Sequence, residues 1–214
     1  MRHGAVAYFD AEGRPLAPDD VPLTTEGRAQ AAAAGTLLEG VALDRVIATG
    51  LPRTLETAAI VAPDATAEVW PELREIRGGR LSDIPAEALE QEFTHAFRGV
   101  VPPDRRFLGG ETIGSLLDRV VPSVERLAEE PGWDAALVVA HGAVNRAILS
   151  YALTGERVFF GHFEQAPGCL NVLDIGDEWI VRAVNVAPTD LLHAASRLTT
   201  METYWRQYRA SPDR

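Results

Sequence analysis

The chain has 214 residues, 46% of them hydrophobic and 24% charged, with a formal net charge of -11. That balance belongs to an ordinary globular protein with one sizeable core, and the acidic excess argues against a general nucleic-acid or anionic-membrane binder, which needs a basic footprint. The lone Cys169 excludes an internal disulfide and suits a reducing, cytoplasmic setting; no apolar run approaches a membrane span and no signal peptide is visible.

Arg2-His3-Gly4 opens the chain with two cation-capable side chains beside a glycine. Such a pair near a terminus is ordinarily solvated surface. A catalytic His-Gly in an α/β protein is expected to follow a strand, because ligands bind outside the carboxyl ends of the strands. Only Met1 precedes Arg2, so either that strand is missing from this sequence or the fold does without it. Residues 5–20 read as a loop with turns at 12–15 and 18–20. Thr24 or Thr25 is placed to cap a helix and Glu26 to complement its dipole. Ala29, Ala32, Ala33 and Leu37 would form its apolar face, and Gly40 would stop it.

Residues 44–49 form a strand candidate. Pro52 suits a first helical position, with a stripe of Leu55, Ala58, Ala59 and Ala62 and a stop at Pro63. Arg53 is out of place there, since a cation in the first turn opposes the helix dipole. The bland reading is a tolerated surface arginine; the sharper one is that Arg53 and the free N–H groups bind an anion together. A short strand over 67–71 leads into a charged segment, 72–79, that carries Glu75 and two glycines and reads as a mobile loop. A helix is expected over 86–97. Arg77, Arg80, Arg98, Arg105 and Arg106 follow Glu75, most of them read as surface.

Gly109-Gly110-Glu111-Thr112 opens the clearest helix. Ile113, Leu116, Leu117, Val120, Val121, Val124, Leu127 and Ala128 keep its period, and Pro122 is predicted to kink it. Residues 135–140 are a continuous apolar run, as in a central parallel strand buried on both faces. His141-Gly142 ends that run and leads into a helix marked by Val144, Ile148, Leu149 and Ala152; a histidine so placed is a better functional candidate than one elsewhere. Residues 170–175 and 179–186 read as two strands joined at Gly176-Asp177, making an antiparallel edge. A short helix is expected over 188–197 and a tail helix over about 199–209. Met201, Tyr204, Trp205 and Tyr208 stand at helical spacing in the tail, as a lid on the body or as a homodimer interface. Without a repeat or linker, residues 1–214 read as one domain.

Taken in order, these pieces resemble the histidine phosphatase superfamily, also called phosphoglycerate-mutase-like. The resembling blocks are Arg2-His3-Gly4, residues 22–31 (PLTTEGRAQA), residues 49–58 (TGLPRTLETA), Leu73-Arg74-Glu75, Gly109-Gly110-Glu111-Thr112 and Val138-Val139-Ala140-His141-Gly142, across roughly residues 2–175. The resemblance implies a three-layer α/β fold, with a mostly parallel sheet between helices. It also implies phosphoryl transfer through a phosphohistidine, with neither metal nor cofactor. By matching position, His3 would be the nucleophile, Arg2, Arg53 and His141 would hold the phosphoryl oxygens, and Glu75 would protonate the leaving group. The chain departs from the family pattern at Ala5 and Val6, where an acidic residue and a threonine are common, and at Phe9, where an asparagine helps hold phosphate.

Chemistry agrees with those roles. Phosphoryl transfer asks mostly for positioning and for positive charge around the equatorial oxygens. Two arginines and a histidine supply that charge, and neighbouring cations push His3 towards the neutral form that attack requires. Residues 73–78 resemble the phosphatase branch more than the mutase branch. The expected function is therefore a metal-independent phosphatase acting on small phosphorylated metabolites. The alternatives are a phosphoglycerate-type mutase using the same His3, and a degenerate member that binds a phosphorylated ligand with little turnover, favoured by Ala5, Val6 and Phe9.

Overall fold

The computed structural model describes residues 1–10, 14, 16–194 and 197–211. Three short strands, β1 (Arg45–Ala48), β2 (Glu68–Val69) and β3 (Ala136–Val139), pair in parallel in the order β2-β1-β3. A separate antiparallel pair, β4 (Leu170–Ile175) and β5 (Trp179–Val186), continues past β3. Between β3 and β4 lies the start of the chain. The Ala140 amide donates to the Met1 carbonyl at 2.9 Å and the His3 amide to the Ala140 carbonyl at 3.1 Å; on the other side the Arg2 amide donates to Cys169 at 3.0 Å and the Gly168 amide to His3 at 3.0 Å. Residues 1–3 thus take the place of the strand that appeared to be missing, with a parallel bridge between Arg2 and Ala140.

Among the described residues six α-helices accompany the strands: α1 (Thr25–Leu37), α2 (Pro52–Val61), α3 (Leu89–Thr94), α4 (Ile113–Glu129), α5 (Gly142–Thr154) and α6 (Thr200–Ala210). The two-residue period of a strand separates two cores. Ile47 packs with Leu116, Leu117 and Val120 of α4 and Ala143, Val144 and Ala147 of α5. Val46, Ala48, Leu137 and Val139 pack instead with Ala31 and Ala34 of α1 and Ala58 and Val61 of α2. The result is the expected sandwich of helices, sheet and helices. Among the described residues no helix is long and apolar enough to cross a membrane.

Several local expectations are corrected. The buried face of α1 is Gly27, Gln30, Ala31 and Ala34, while Ala29, Ala32 and Leu37 are exposed. An alanine run is apolar on every side, so something else sets its rotation. Here it is a backbone contact: a Cβ on Gly27 would stand 2.1 Å from the Ala5 carbonyl oxygen, and one on Gly4 would stand 2.2 Å from that of Gly27. Only two glycines allow this approach, and it clamps the segment after His3 onto α1. On α2 the buried residues are Arg53, Thr54, Thr57, Ala58 and Val61, with Leu55 and Ala59 facing out; the polar face is the inward one.

The helix expected over 86–97 spans only Leu89–Thr94, and α4 runs unbroken through Pro122. No helix forms over residues 188–194. Leu191 and Leu192 are 64% and 82% exposed, so no apolar stripe pins one there, and the Ala194 amide donates to the Asp190 carboxylate in a turn instead. The turn expected at 12–15 falls largely outside the described residues, whereas the one at 18–20 is present. The tail helix is real. Thr199 and Glu202 form its capping box, and Met201, Trp205 and Tyr208 pack on Phe93 of α3 and its neighbours.

Candidate active site

Strands β1 and β3 are adjacent and parallel, so the turns that follow them emerge at one edge of the sheet. The turn after β1 delivers Thr49 and then Arg53 in the first turn of α2; the turn after β3 delivers His141, the N-cap residue of α5. Residues 1–3 place Arg2 and His3 alongside. The imidazoles of His3 and His141 meet edge to face with centroids 5.1 Å apart. Arg2, His3, Arg53 and His141 are between 0% and 4% exposed. All four residues expected to bind or attack phosphate are therefore brought together.

Hydrogen bonds set the protons. His3 Nδ1 lies 2.7 Å from the Gly4 carbonyl. A carbonyl can only accept, so Nδ1 carries the proton and Nε2 keeps the lone pair that attack requires. Burial, then the charges of Arg2 and Arg53, hold the His3 pKa well below 6.5, against a smaller opposing effect of the Gly4 bond. His141 is held low in the same way, by burial first and then by His3, Arg53, Arg2 and Arg119. Both rings are neutral at pH 7.

The arginines are aimed but incompletely used. Arg2 donates through Nη1 to the Gln165 carbonyl at 2.5 Å and to Thr200 at 3.0 Å, and through Nη2 to the Tyr204 hydroxyl at 3.0 Å. Arg53 Nη1 donates to the Pro18 carbonyl at 2.6 Å. Arg2 Nε, Arg53 Nε and His141 Nδ1 are buried with no hydrogen-bond partner, and the only other side-chain atom in that condition among the described residues is Trp205 Nε1. Buried polar atoms are ordinarily satisfied. Three such nitrogens lie around one histidine, and the two arginine N–H groups among them are donors that an anion can satisfy.

Glu75 closes the arrangement from the segment after β2. Its carboxylate accepts from its neighbour's amide, Ile76, at 3.0 Å and from the Ala143 amide in the first turn of α5 at 3.1 Å. This segment is not the free loop expected from its glycines and charges. Arg119 of α4 donates to the carbonyls of Glu72 (2.5 Å), Arg74 (2.6 Å) and Glu75 (3.3 Å), and to the Glu111 carboxylate at 2.9 and 3.1 Å. Burial alone would push the Glu111 carboxyl up, but hydrogen bonds from Arg119 and the Arg77 amide outweigh it and hold its pKa below the usual range. Arg119 had no place among the candidate residues and Glu111 had a motif but no role. Thr49, Thr54, Gln165 and Tyr204 were likewise missed as neighbours of the site. Among the described residues no three His, Cys, Asp or Glu side chains converge in a way that could hold a metal ion.

The chain is similar to known proteins in sequence and in fold. Residues 1–187 match the model of the histidine phosphatase superfamily, branch 1. A probable phosphoglycerate mutase, GpmB, of Salmonella paratyphi A is 31% identical over 157 residues, covering 72% of this chain and 73% of that protein. Among solved structures, a putative alpha-ribazole-5'-P phosphatase from Escherichia coli superposes with a TM-score of 0.67 at 25% identity, over 86% of this chain and 94% of its own. A mycobacterial glucosyl-3-phosphoglycerate phosphatase gives the same TM-score at 22% identity, over 86% and 95% of the two chains. The α6 helix, which supplies Thr200 and Tyr204 to Arg2, lies beyond the matched residues. With the fold, the order of its motifs and most of its length in agreement, the chain belongs to the histidine phosphatase superfamily.

Proposed function

We propose that the protein is a phosphatase that hydrolyses small phosphate monoesters in two steps, through a phosphohistidine on His3. The observation that carries this reading is the cluster of unpartnered buried nitrogens, Arg2 Nε, Arg53 Nε and His141 Nδ1, around a neutral histidine whose Nε2 is free to attack. Nε2 forms a bond to phosphorus as the bond to the leaving oxygen breaks. Arg2, Arg53 and His141 balance the charge on the equatorial oxygens, which is most of what this reaction asks of a protein. Glu75 gives a proton to the departing alkoxide. Water then attacks the phosphohistidine, Glu75 takes back a proton, and inorganic phosphate leaves.

The contacts of Glu75 support that role. The N-terminus of α5 and the Arg119 strut hold it over the same edge of the sheet as both histidines, and proton transfer needs such fixed geometry. Phosphatases among the structural neighbours, at 22–25% identity, favour hydrolysis. A second reading, transfer of the phosphoryl group back to a glycerate as in a mutase, is favoured by the name of the GpmB relative and would use the same His3.

The test is phosphate release from an aryl phosphate and from a panel of sugar and glycerate phosphates, in EDTA, with His3→Ala alongside. Turnover in chelator that disappears in His3→Ala, with a labelled phosphoenzyme that forms only in the unmodified protein, is the expected result. Label retained in His3→Ala would overturn the nucleophile assignment. Isomerisation of phosphoglycerate outrunning phosphate release would replace the phosphatase with the mutase.

A further inference from the structure

The proton on His141 is not free to choose its nitrogen. His141 Nε2 lies 3.0 Å from Thr49 Oγ1, Thr49 Oγ1 lies 3.1 Å from Thr54 Oγ1, and Thr54 Oγ1 lies 2.9 Å from the Leu51 carbonyl. That carbonyl can only accept, so it draws the single hydroxyl proton of Thr54. The Thr54 oxygen then accepts from Thr49, and Thr49, having given its proton, accepts from His141. The chain of donors therefore runs from His141 Nε2–H through Thr49 and Thr54 to Leu51. Reversing it would satisfy one bond fewer. It would also strand an N–H on His141 Nδ1, which has no partner and whose neighbouring charges are the cations Arg2 and Arg53.

On this polarity the neutral ring presents a lone pair, not a donor, at Nδ1. A phosphate dianion also presents lone pairs. Neutral His141 and a bound phosphate would repel each other, although His141 is the residue expected to hold a phosphoryl oxygen. We propose that Thr49 and Thr54 lock the proton of neutral His141 on Nε2, so that His141 engages a bound tetrahedral anion only after taking a second proton, from solvent, onto Nδ1. Thr49 and Thr54 are positioning residues, acting through His141. The inference rests on the anion seat proposed above and adds to it a coupled proton: anion binding takes one proton from solution, and anion release returns it.

The groups that face His141 suit such a switch. His3 and Arg2 from the start of the chain, Arg53 from α2 and Arg119 from α4 all oppose a charged ring. Glu75, in contact with the first turn of α5, is the nearby carboxylate. A dianion seated among the arginines offsets their charge and reverses the preference of the ring.

Sulfate is the probe, since it is a tetrahedral dianion with no proton of its own to exchange near neutrality. Calorimetry in buffers of differing ionisation enthalpy counts protons taken up on binding, and heteronuclear NMR of the histidine ring nitrogens, assigned with His141→Gln, reports the tautomer. The expectation is an Nε2–H tautomer in the free protein and a doubly protonated ring in the sulfate complex. Uptake is expected to be about one proton per sulfate, with the dissociation constant rising about tenfold per pH unit above neutrality. Thr49→Val removes the acceptor on Nε2 and should abolish most of that uptake and flatten the pH slope. Thr49→Ser, which keeps the hydroxyl, should restore both. A proton found on Nδ1 of neutral His141, or uptake unchanged in Thr49→Val, would overturn the proposal. Sulfate binding without proton uptake would overturn the coupling and leave the anion seat standing. Failure of sulfate to bind at all would remove the seat and the coupling together, while the tautomer of the free protein would still decide whether the lock exists.

Discussion

The turn after β1 and the turn after β3 are built alike and equipped differently. Each follows a short parallel strand, and each opens a helix whose N-cap residue, Leu51 or His141, makes no side-chain capping bond. At α2 the first turn carries Pro52 and Arg53, a charge that cannot be switched off. At α5 the amide of Ala143 is held by the Glu75 carboxylate, and the residue before the helix is a neutral histidine. One turn supplies fixed positive charge; the other supplies His141 and, through the Ala143 amide, anchors Glu75 from the segment after β2, so two ionisable groups meet at the start of α5. Thr49 of the first turn bonds His141 of the second and joins the two halves. Phosphoryl transfer needs both charge and protons, and on the proposed reading the turn after β1 provides the first while the turn after β3, with Glu75 held against it, provides the second.

Breaking the two turns should therefore give different kinetic signatures. The larger effect is expected on the α5 side. Glu75→Gln removes the proposed proton donor, and kcat/KM for alkyl phosphates should fall by about a hundredfold to ten-thousandfold, the usual range for a lost general acid. Aryl phosphates with good leaving groups need little protonation and should lose far less. Equal losses on both would reduce Glu75 to a residue that shapes the turn. Arg53→Ala strikes the other side. Loss of one preorganised donor lowers kcat by about a hundredfold to a thousandfold, or roughly 3–4 kcal/mol. That loss should fall equally on alkyl and aryl substrates, because the charge on the equatorial oxygens does not depend on the leaving group. An unchanged rate would remove Arg53 from the site, and an alkyl-selective loss would mean that the two turns do not divide the work.

The contrast between the turns also explains what could be read from the sequence. Residue type and local order singled out Arg53 and His141, because each interrupts a local pattern: a cation where the helix dipole disfavours it, a histidine at the end of an apolar run; His3 and Glu75 stood out only through the family resemblance. Local order was enough as well for β3, the β4–β5 hairpin, the Thr24 cap of α1 and the start of α4. The supports were hidden, because their partners are distant in sequence. Arg119 is an ordinary charge on an amphipathic helix until the carbonyls of Glu72, Arg74 and Glu75 arrive beneath it. Thr49 and Thr54 look like a strand end and a helix residue until His141, 92 residues after Thr49, completes the chain. One signal was available: on α2, Arg53, Thr54 and Thr57 share a face with Ala58 and Val61, and a polar patch on the inward face of a helix is a reason to look for a site. The place of residues 1–3 in the sheet could not be read, since three residues carry no periodicity.

The smallest expected effect sharpens the comparison without any substrate. The charge at α2 is the same at every pH of interest, whereas His3 and His141 are buried neutral and their pKa values lie well below 6.5 in the folded protein. The sign follows from counting protons. Above pH 6.5 neither the folded nor the unfolded chain protonates these rings, and their contribution to stability is complete. As pH falls below 6.5 the unfolded chain binds protons that the folded protein refuses, so stability drops by about 1.4 kcal/mol per pH unit for each ring, until the folded pKa is reached. Urea midpoints measured at pH 6.5 and pH 5.5 should therefore decline with a slope approaching two protons, before most carboxylates begin to titrate. His141→Gln should remove close to half of that decline, and Arg53→Gln should leave most of it, because burial is the first cause of both shifts and Arg53 only a lesser one. A decline untouched by His141→Gln would mean that the ring at α5 is already charged in the folded protein, and the division between a fixed charge at one turn and a switchable one at the other would fail.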